Sequence, residues 1–81
     1  MEQIKQVVNR EDQETNINIS YVDKEIVIYT TKATVMNRML GKGYKPIEVS
    51  KVDGEICSMT FRFPTNMVTK FLRGDIFRYD I

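Results

Sequence analysis

The sequence contains no histidine and no tryptophan, and it has one cysteine and two prolines among its 81 residues. Without histidine, the chain lacks the side chain that most often acts as a general acid or base near neutral pH and as a zinc ligand. The single cysteine, Cys57, excludes an internal disulfide, and its apolar neighbours favour a small buried side chain over a reactive thiol. We therefore predict no catalytic residues, no metal site and no cofactor, and we expect a protein that is not an enzyme.

An excess of charge and long apolar runs are also missing. Twelve Lys and Arg residues balance eleven Asp and Glu residues, for a net charge of +1, so neither a basic nucleic-acid tail nor an acidic DNA mimic is expected. No stretch is apolar over the roughly 18 residues that a membrane span needs, and the N-terminus lacks the pattern of a signal peptide. These features favour a cytoplasmic protein that has no membrane partner.

The first sixteen residues differ in composition from the rest of the chain. Residues 9–16 are entirely polar and show no periodicity, which is typical of a linker. Ahead of them, Ile4, Val7 and Val8 have helical spacing but suffice for only one or two turns. We predict that residues 1–16 form an arm that is disordered, forms a short helix or docks on a partner. Residues 17–81 are predicted to form one domain.

An internal repeat is the most informative pattern in that domain. The segment SYVDKEI at 20–26 matches SKVDGEI at 50–56 at five of seven positions. Further on, apolar positions match in order, with Val35, Met36, Met39 and Leu40 corresponding to Met67, Val68, Phe71 and Leu72. We interpret the chain as a duplicated strand–strand–helix unit, with copies at about 17–43 and 44–74, followed by a terminal strand at 76–81. Chance similarity is the alternative.

The first copy carries the signals of two strands and a helix. Apolar and polar residues alternate through 16–22, and β-branched residues are frequent in 25–30, on either side of a turn at Asp23. Thr30 or Thr31 is expected to cap the helix that follows, by accepting a hydrogen bond from a free backbone N–H of its first turn.

The second copy repeats these signals, and its turn residues predict a hairpin more strongly than those of the first copy. Asp53-Gly54 predicts a tight hairpin, because both central residues of a type I′ turn need positive φ. Pro64 suits the first position of the second helix, where its missing N–H costs nothing, and Gly74 is expected to end that helix. The fold class is therefore α+β, with a four- to five-stranded, mainly antiparallel sheet and both helices on one face.

The strand pattern places apolar side chains on both faces of this sheet. Two helices cover only one face, so the other needs a cover, and an exposed apolar face usually marks an interface. We assign Tyr29, Met59, Phe61 and Phe63 as partner-binding residues on that second face. The alternative is that one register assumption is wrong and that all of these residues share a single core.

The favoured function is a small non-catalytic interaction protein that binds and inhibits or modulates a larger protein, of the kind that phages and mobile elements direct at host machinery. A second interpretation is a dimeric nucleic-acid-binding regulator, which would hold phosphates with Lys32, Arg38, Lys42, Lys70 and Arg73. A homodimer agrees with either interpretation, because a core of this size barely offsets the conformational entropy of folding.

Overall fold

Two β-hairpins, each followed by a helix, build the fold in the computed structural model, which describes residues 3–73. The four strands form one antiparallel sheet in the order β1-β2-β4-β3. The fold is α+β, as the sequence predicts. The elements in chain order are β1 (Thr15–Ser20), β2 (Glu25–Thr30), α1 (Ala33–Gly41), β3 (Glu48–Val52), β4 (Glu55–Pro64) and α2 (Val68–Arg73), with 3-10 turns at Arg10–Asp12 and Thr65–Met67.

Both hairpin turns use left-handed backbone. Asp53 and Gly54 have φ of 51° and 81°, which agrees with the turn predicted from their sequence. In the first hairpin, Lys24 has φ of 54°, and the Ser20 hydroxyl accepts a hydrogen bond from the Asp23 N–H at 3.2 Å. That bond offsets part of the strain of the non-glycine turn residue.

The register of the two central strands places the largest strand side chains on one face. Ile26 lies opposite Phe63, and Ile28 lies opposite Phe61. Directly opposite residues of an antiparallel pair share a face, and Met59 shares it as well because it precedes Phe61 by two residues. All five side chains therefore contact one core.

Both helices supply side chains to this core. Met36 and Met39 of α1 are 1% and 0% exposed, and Phe71 of α2 is 4% exposed. The rings of Phe63 and Phe71 are 4.8 Å apart between centroids. The buried cluster consists of Ile26, Ile28, Ala33, Val35, Met36, Met39, Met59, Phe61 and Phe71.

The prediction of a second apolar sheet face is wrong, and a β-bulge explains the error. Ser50 pairs with Ser58, but the next residue, Lys51, pairs with Ile56, so Cys57 is an extra residue in β4. This insertion reverses the alternation, so that Ile56 packs against the same core as Met59. A strictly alternating strand would place residues 56 and 59 on opposite faces.

The N-terminal arm is extended and docks on α1 of its own chain. The Ile4 N–H donates to Asn37 Oδ1 at 2.8 Å, and Asn37 Nδ2 donates to the Ile4 carbonyl at 3.1 Å. Gln6 Nε2 donates to the Thr31 carbonyl at 2.9 Å, while Gln6 Oε1 accepts from the Ala33 N–H at 2.7 Å. The helical turns predicted around Ile4 and Val8 do not form, and the 3-10 turn at Arg10–Asp12 follows that segment.

The cap of α1 also differs from the prediction. The N-cap residue is Lys32, whose side chain makes no capping bond, and Gln6 reaches the first helical N–H instead. Thr30 Oγ1 accepts from the Lys32 N–H, and Thr31 Oγ1 accepts from the Glu14 N–H. The two threonines therefore bind the residue before the helix and the start of β1.

The strand–strand–helix order occurs twice, but this order alone does not establish an internal duplication. The predicted helix stop at Gly74 and the terminal strand at 76–81 lie outside the described residues. Within residues 3–73, no helix has the length and apolar content needed to cross a membrane.

Phe61→Ala is expected to lower the free energy of unfolding by about 3–5 kcal/mol, because it removes a fully buried ring from the centre of the sheet. Urea unfolding followed by circular dichroism measures the change. Tyr21→Ala is the matched control, since Tyr21 is 84% exposed and its loss should cost less than about 0.5 kcal/mol. Equal stability of the two variants would contradict the placement of Phe61 in the core.

Gln6→Ala is expected to lower the free energy of unfolding by about 1–2 kcal/mol, because the first helical N–H and the Thr31 carbonyl lose their partners. Amide hydrogen exchange at Ala33 should become faster. Lys5→Ala changes an exposed neighbour in the arm and serves as the control. If both variants exchange the Ala33 amide at the wild-type rate, the arm does not cap α1.

Candidate functional site

The sheet face opposite the core is the candidate site. Both described helices pack on the core side, so among residues 3–73 this face has no helix over it. We call it the outer sheet face and define it by side chains of the four strands that alternate with the core residues: Asn16, Asn18, Val27, Tyr29, Glu48, Thr60 and Arg62.

Tyr29 is the aromatic centre of the outer sheet face. It lies on the central strand β2, between Asn16 of β1 and Thr60 of β4, and these neighbours leave it half-buried. Two residues earlier, Val27 lies between Asn18 and Arg62 in the same way. The arrangement gives an apolar strip bordered by polar side chains, and a tyrosine there can pack against a partner and form a hydrogen bond.

One pair of opposite charges lies beside this strip. Arg62 Nε lies 3.2 Å from Glu25 Oε2, and the two side chains are 56% and 27% exposed. One guanidinium and one carboxylate therefore neutralise each other at this end of the face. A surface of this kind presents no concentrated positive potential toward a phosphate backbone.

Of the four predicted partner-binding residues, only Tyr29 lies on the outer sheet face. Phe61 and Met59 are 0% and 3% exposed in the core, and Phe63 is half-buried among aromatic rings, 5.0 Å from Tyr44 and 4.8 Å from Phe71. The expectation that Met59, Phe61 and Phe63 are exposed contact residues is therefore wrong, because the bulge and the pairing of β2 with β4 place them on the core side.

The predicted phosphate-binding residues all belong to the two helices and their ends. Lys32 and Lys42 flank α1 and so lie at opposite ends of it, about 15 Å apart at the helical rise, with Arg38 between them. Lys70 and Arg73 lie in α2, and Lys70 Nζ is 5.7 Å from the centre of the Tyr44 ring, in the range of a cation–π contact.

A concave surface, separate from the outer sheet face, lies where the arm approaches the hairpin of β3 and β4. It is an open groove of about 480 Å³, lined by Gln3, Ile4, Lys5, Leu40, Glu55 and Ile56 together with Gly54. Because the arm forms one wall, the shape of the groove depends on arm docking. Across the described part of the chain, no three acidic, cysteine or histidine side chains are close enough together to hold a metal ion.

Sequence reasoning missed the two amides that hold the arm. Gln6 looks like one of many polar residues near the N-terminus, and Asn37 looks like an ordinary polar position of a helix. Their roles depend on segments about thirty residues apart in the chain. No local pattern marks either residue as a contact.

The Glu25–Arg62 pair is expected to contribute only about 0.2–1 kcal/mol, because both side chains reach solvent. A double-mutant cycle with Glu25→Gln and Arg62→Gln measures the coupling from unfolding free energies, and the coupling should fall as salt is added. A coupling of several kcal/mol that does not respond to salt would contradict this assignment.

No protein-family model matches this chain, and neither a curated protein nor a solved structure is significantly similar to it. The assignment of function therefore depends on the geometry described above.

Proposed function

We propose that this chain is a small non-catalytic binding protein that engages a larger protein through the outer sheet face and thereby inhibits or modulates it. The supporting observation is the position of Tyr29 and Val27 on a central strand, on the face that neither described helix covers. Aromatic residues at the centre of a polar surround are the usual energetic focus of protein interfaces.

The composition of the face favours a protein partner over a nucleic acid. Its asparagine and threonine side chains offer both donors and acceptors, and its arginine is paired with Glu25. The predicted cations lie on or beside the helices, which pack on the opposite side of the sheet. The nucleic-acid interpretation thus has no support from the side chains around Tyr29.

The size of the face limits the strength of binding. Four strands are about 19 Å wide, and six strand residues are about 20 Å long, which gives a surface on the order of 400 Å². A standard interface buries about 800 Å² on each partner. We therefore expect either modest affinity or additional contacts from the turns at the margins of the sheet.

We also infer that the two strand–strand–helix units arose by duplication. The matching segments 20–26 and 50–56 each contain the end of one strand, a hairpin turn and the start of the next strand. Lys24 and Gly54 are equivalent in this alignment, and both have positive φ. The two turns differ in length, because four residues separate the paired Ser20 and Glu25 and two separate the paired Val52 and Glu55. The support for a common origin is therefore the sequence match and the shared order of elements.

Tyr29→Ala is expected to weaken partner binding by about 2 kcal/mol or more, which is roughly thirtyfold, if Tyr29 is a central contact. The experiment uses the immobilised wild-type protein, Tyr29→Ala and Tyr21→Ala as baits in nuclease-treated extract of the source cells. A partner captured by the wild type is then purified and titrated against all three proteins by calorimetry.

Retained affinity in Tyr21→Ala and lost affinity in Tyr29→Ala would support the proposal. Loss only in Tyr21→Ala would move the contact to the hairpin turn and contradict it. The nucleic-acid alternative is tested with a random single-stranded oligonucleotide, whose binding should fall steeply between about 50 and 200 mM salt if phosphate contacts dominate.

A further inference from the structure

The docked arm is held by contacts that recognise a particular segment. The Asn37 amide bonds both backbone polar groups of Ile4, at 2.8 and 3.1 Å. The Ile4 side chain packs against the core, and two residues later the Gln6 amide bonds the Thr31 carbonyl and the Ala33 N–H. Together these contacts define a docking groove beside α1 for an extended segment with an Ile-x-Gln spacing.

The docking groove needs an occupant. Without the arm, the Ala33 N–H at the start of α1 loses its acceptor, and the Lys32 side chain provides no capping bond in its place. The first-turn N–H groups of a helix have no partner within the helix. The Asn37 amide would also lose the partners that orient it. If the arm detaches, these unbonded groups favour binding of an arm with the same residues.

The connector between the arm and β1 makes local bonds and one longer-range bond, in which the Thr31 hydroxyl donates to the Asp12 carbonyl at 3.4 Å. Gln6 and Glu14 both bond Thr31, so residues 7–13 form a loop that leaves and returns to one place. Within it, the Asp12 N–H donates to the Asn9 carbonyl at 2.8 Å, and Gln13 Nε2 donates to the Val8 carbonyl at 3.3 Å. Straightened, seven residues reach at most about 25 Å, and this length limits how far the arm can extend from β1.

We propose that the docking groove also accepts the arm of a second copy of this chain, so that two copies form an arm-exchanged homodimer. Each groove then contains the Ile4 and Gln6 of the other copy, and every arm contact is preserved. The bonds of the connector are lost, including the one from the Thr31 hydroxyl to the Asp12 carbonyl. This inference is independent of the outer sheet face, because α1 packs on the other side of the sheet.

Concentration decides between the two arrangements. A short flexible connector holds its own arm at an effective concentration on the order of 1 mM, so the wild type is closed at micromolar concentration and exchanges near the millimolar range. A substitution that weakens binding of a chain's own arm, but leaves its groove intact, lowers the protein concentration at which exchange occurs. The test therefore uses two full-length variants, one with a defective arm and the other with a defective groove.

The first chain, Ile4→Ala/Gln6→Ala, has a defective arm and an intact groove. The second, Asn37→Asp, has an intact arm and a groove in which a carboxylate faces the Ile4 carbonyl in place of an amide donor. The first chain is labelled with ¹⁵N and mixed with the unlabelled second chain at about 1 mM. We expect a one-to-one heterodimer by sedimentation equilibrium and a downfield shift of the Ala33 amide as it regains the Gln6 acceptor.

The control is the triple variant Ile4→Ala/Gln6→Ala/Asn37→Asp, which supplies no intact arm and should produce neither signal, with at least tenfold weaker association. Asn37→Ala replaces Asn37→Asp if the latter gives the spectrum of an unfolded chain. A mixture that stays monomeric without an Ala33 shift overturns the proposal. An equal shift produced by an unrelated synthetic peptide that keeps only the Ile-x-Gln spacing also overturns it, because the groove would then not be specific for a second copy.

Discussion

The pairing of β2 with β4 is the interaction on which the rest of this structure depends. It joins the two hairpins and places Ile28 opposite Phe61 at the centre of the sheet, both 0% exposed. Because opposite residues share a face, this single register directs the apolar side chains of both hairpins to the same side. The helices then pack on that side, and the outer sheet face is left polar apart from Tyr29 and Val27.

The N-terminal arm stabilises the start of α1, which packs on the core side of the sheet. A nine-residue helix such as α1 is too short to be stable alone, and its N-cap residue, Lys32, makes no side-chain capping bond. Gln6 supplies the missing acceptor, and Asn37 holds the arm in return. These amide hydrogen bonds link the N-terminal arm to the core, and they are the contacts that the proposed arm exchange would preserve.

The molecule therefore has two distinct surfaces with different chemistry. The outer sheet face is a mostly polar surface around Tyr29, and it is the surface that we propose for a protein partner. In the docking groove beside α1, Asn37 bonds the backbone of Ile4, and the Gln6 amide bonds the Thr31 carbonyl and the Ala33 N–H. The first surface is presented by strands and the second by a helix start, so a variant can disable one while the other remains intact.

Much of the architecture is readable from local patterns. Alternating apolar residues, the Asp53-Gly54 turn and the apolar stripe of α1 predict two hairpins and two helices, since each signal depends on neighbours a few residues apart. Which strands meet is decided only in three dimensions, and the extra residue Cys57 reverses the alternation of β4, so that Met59 and Phe61 become core. The roles of Gln6 and Asn37 likewise arise from contacts between distant segments. Local sequence determined the elements, whereas long-range pairing decided which face is buried and which residues remain available for binding.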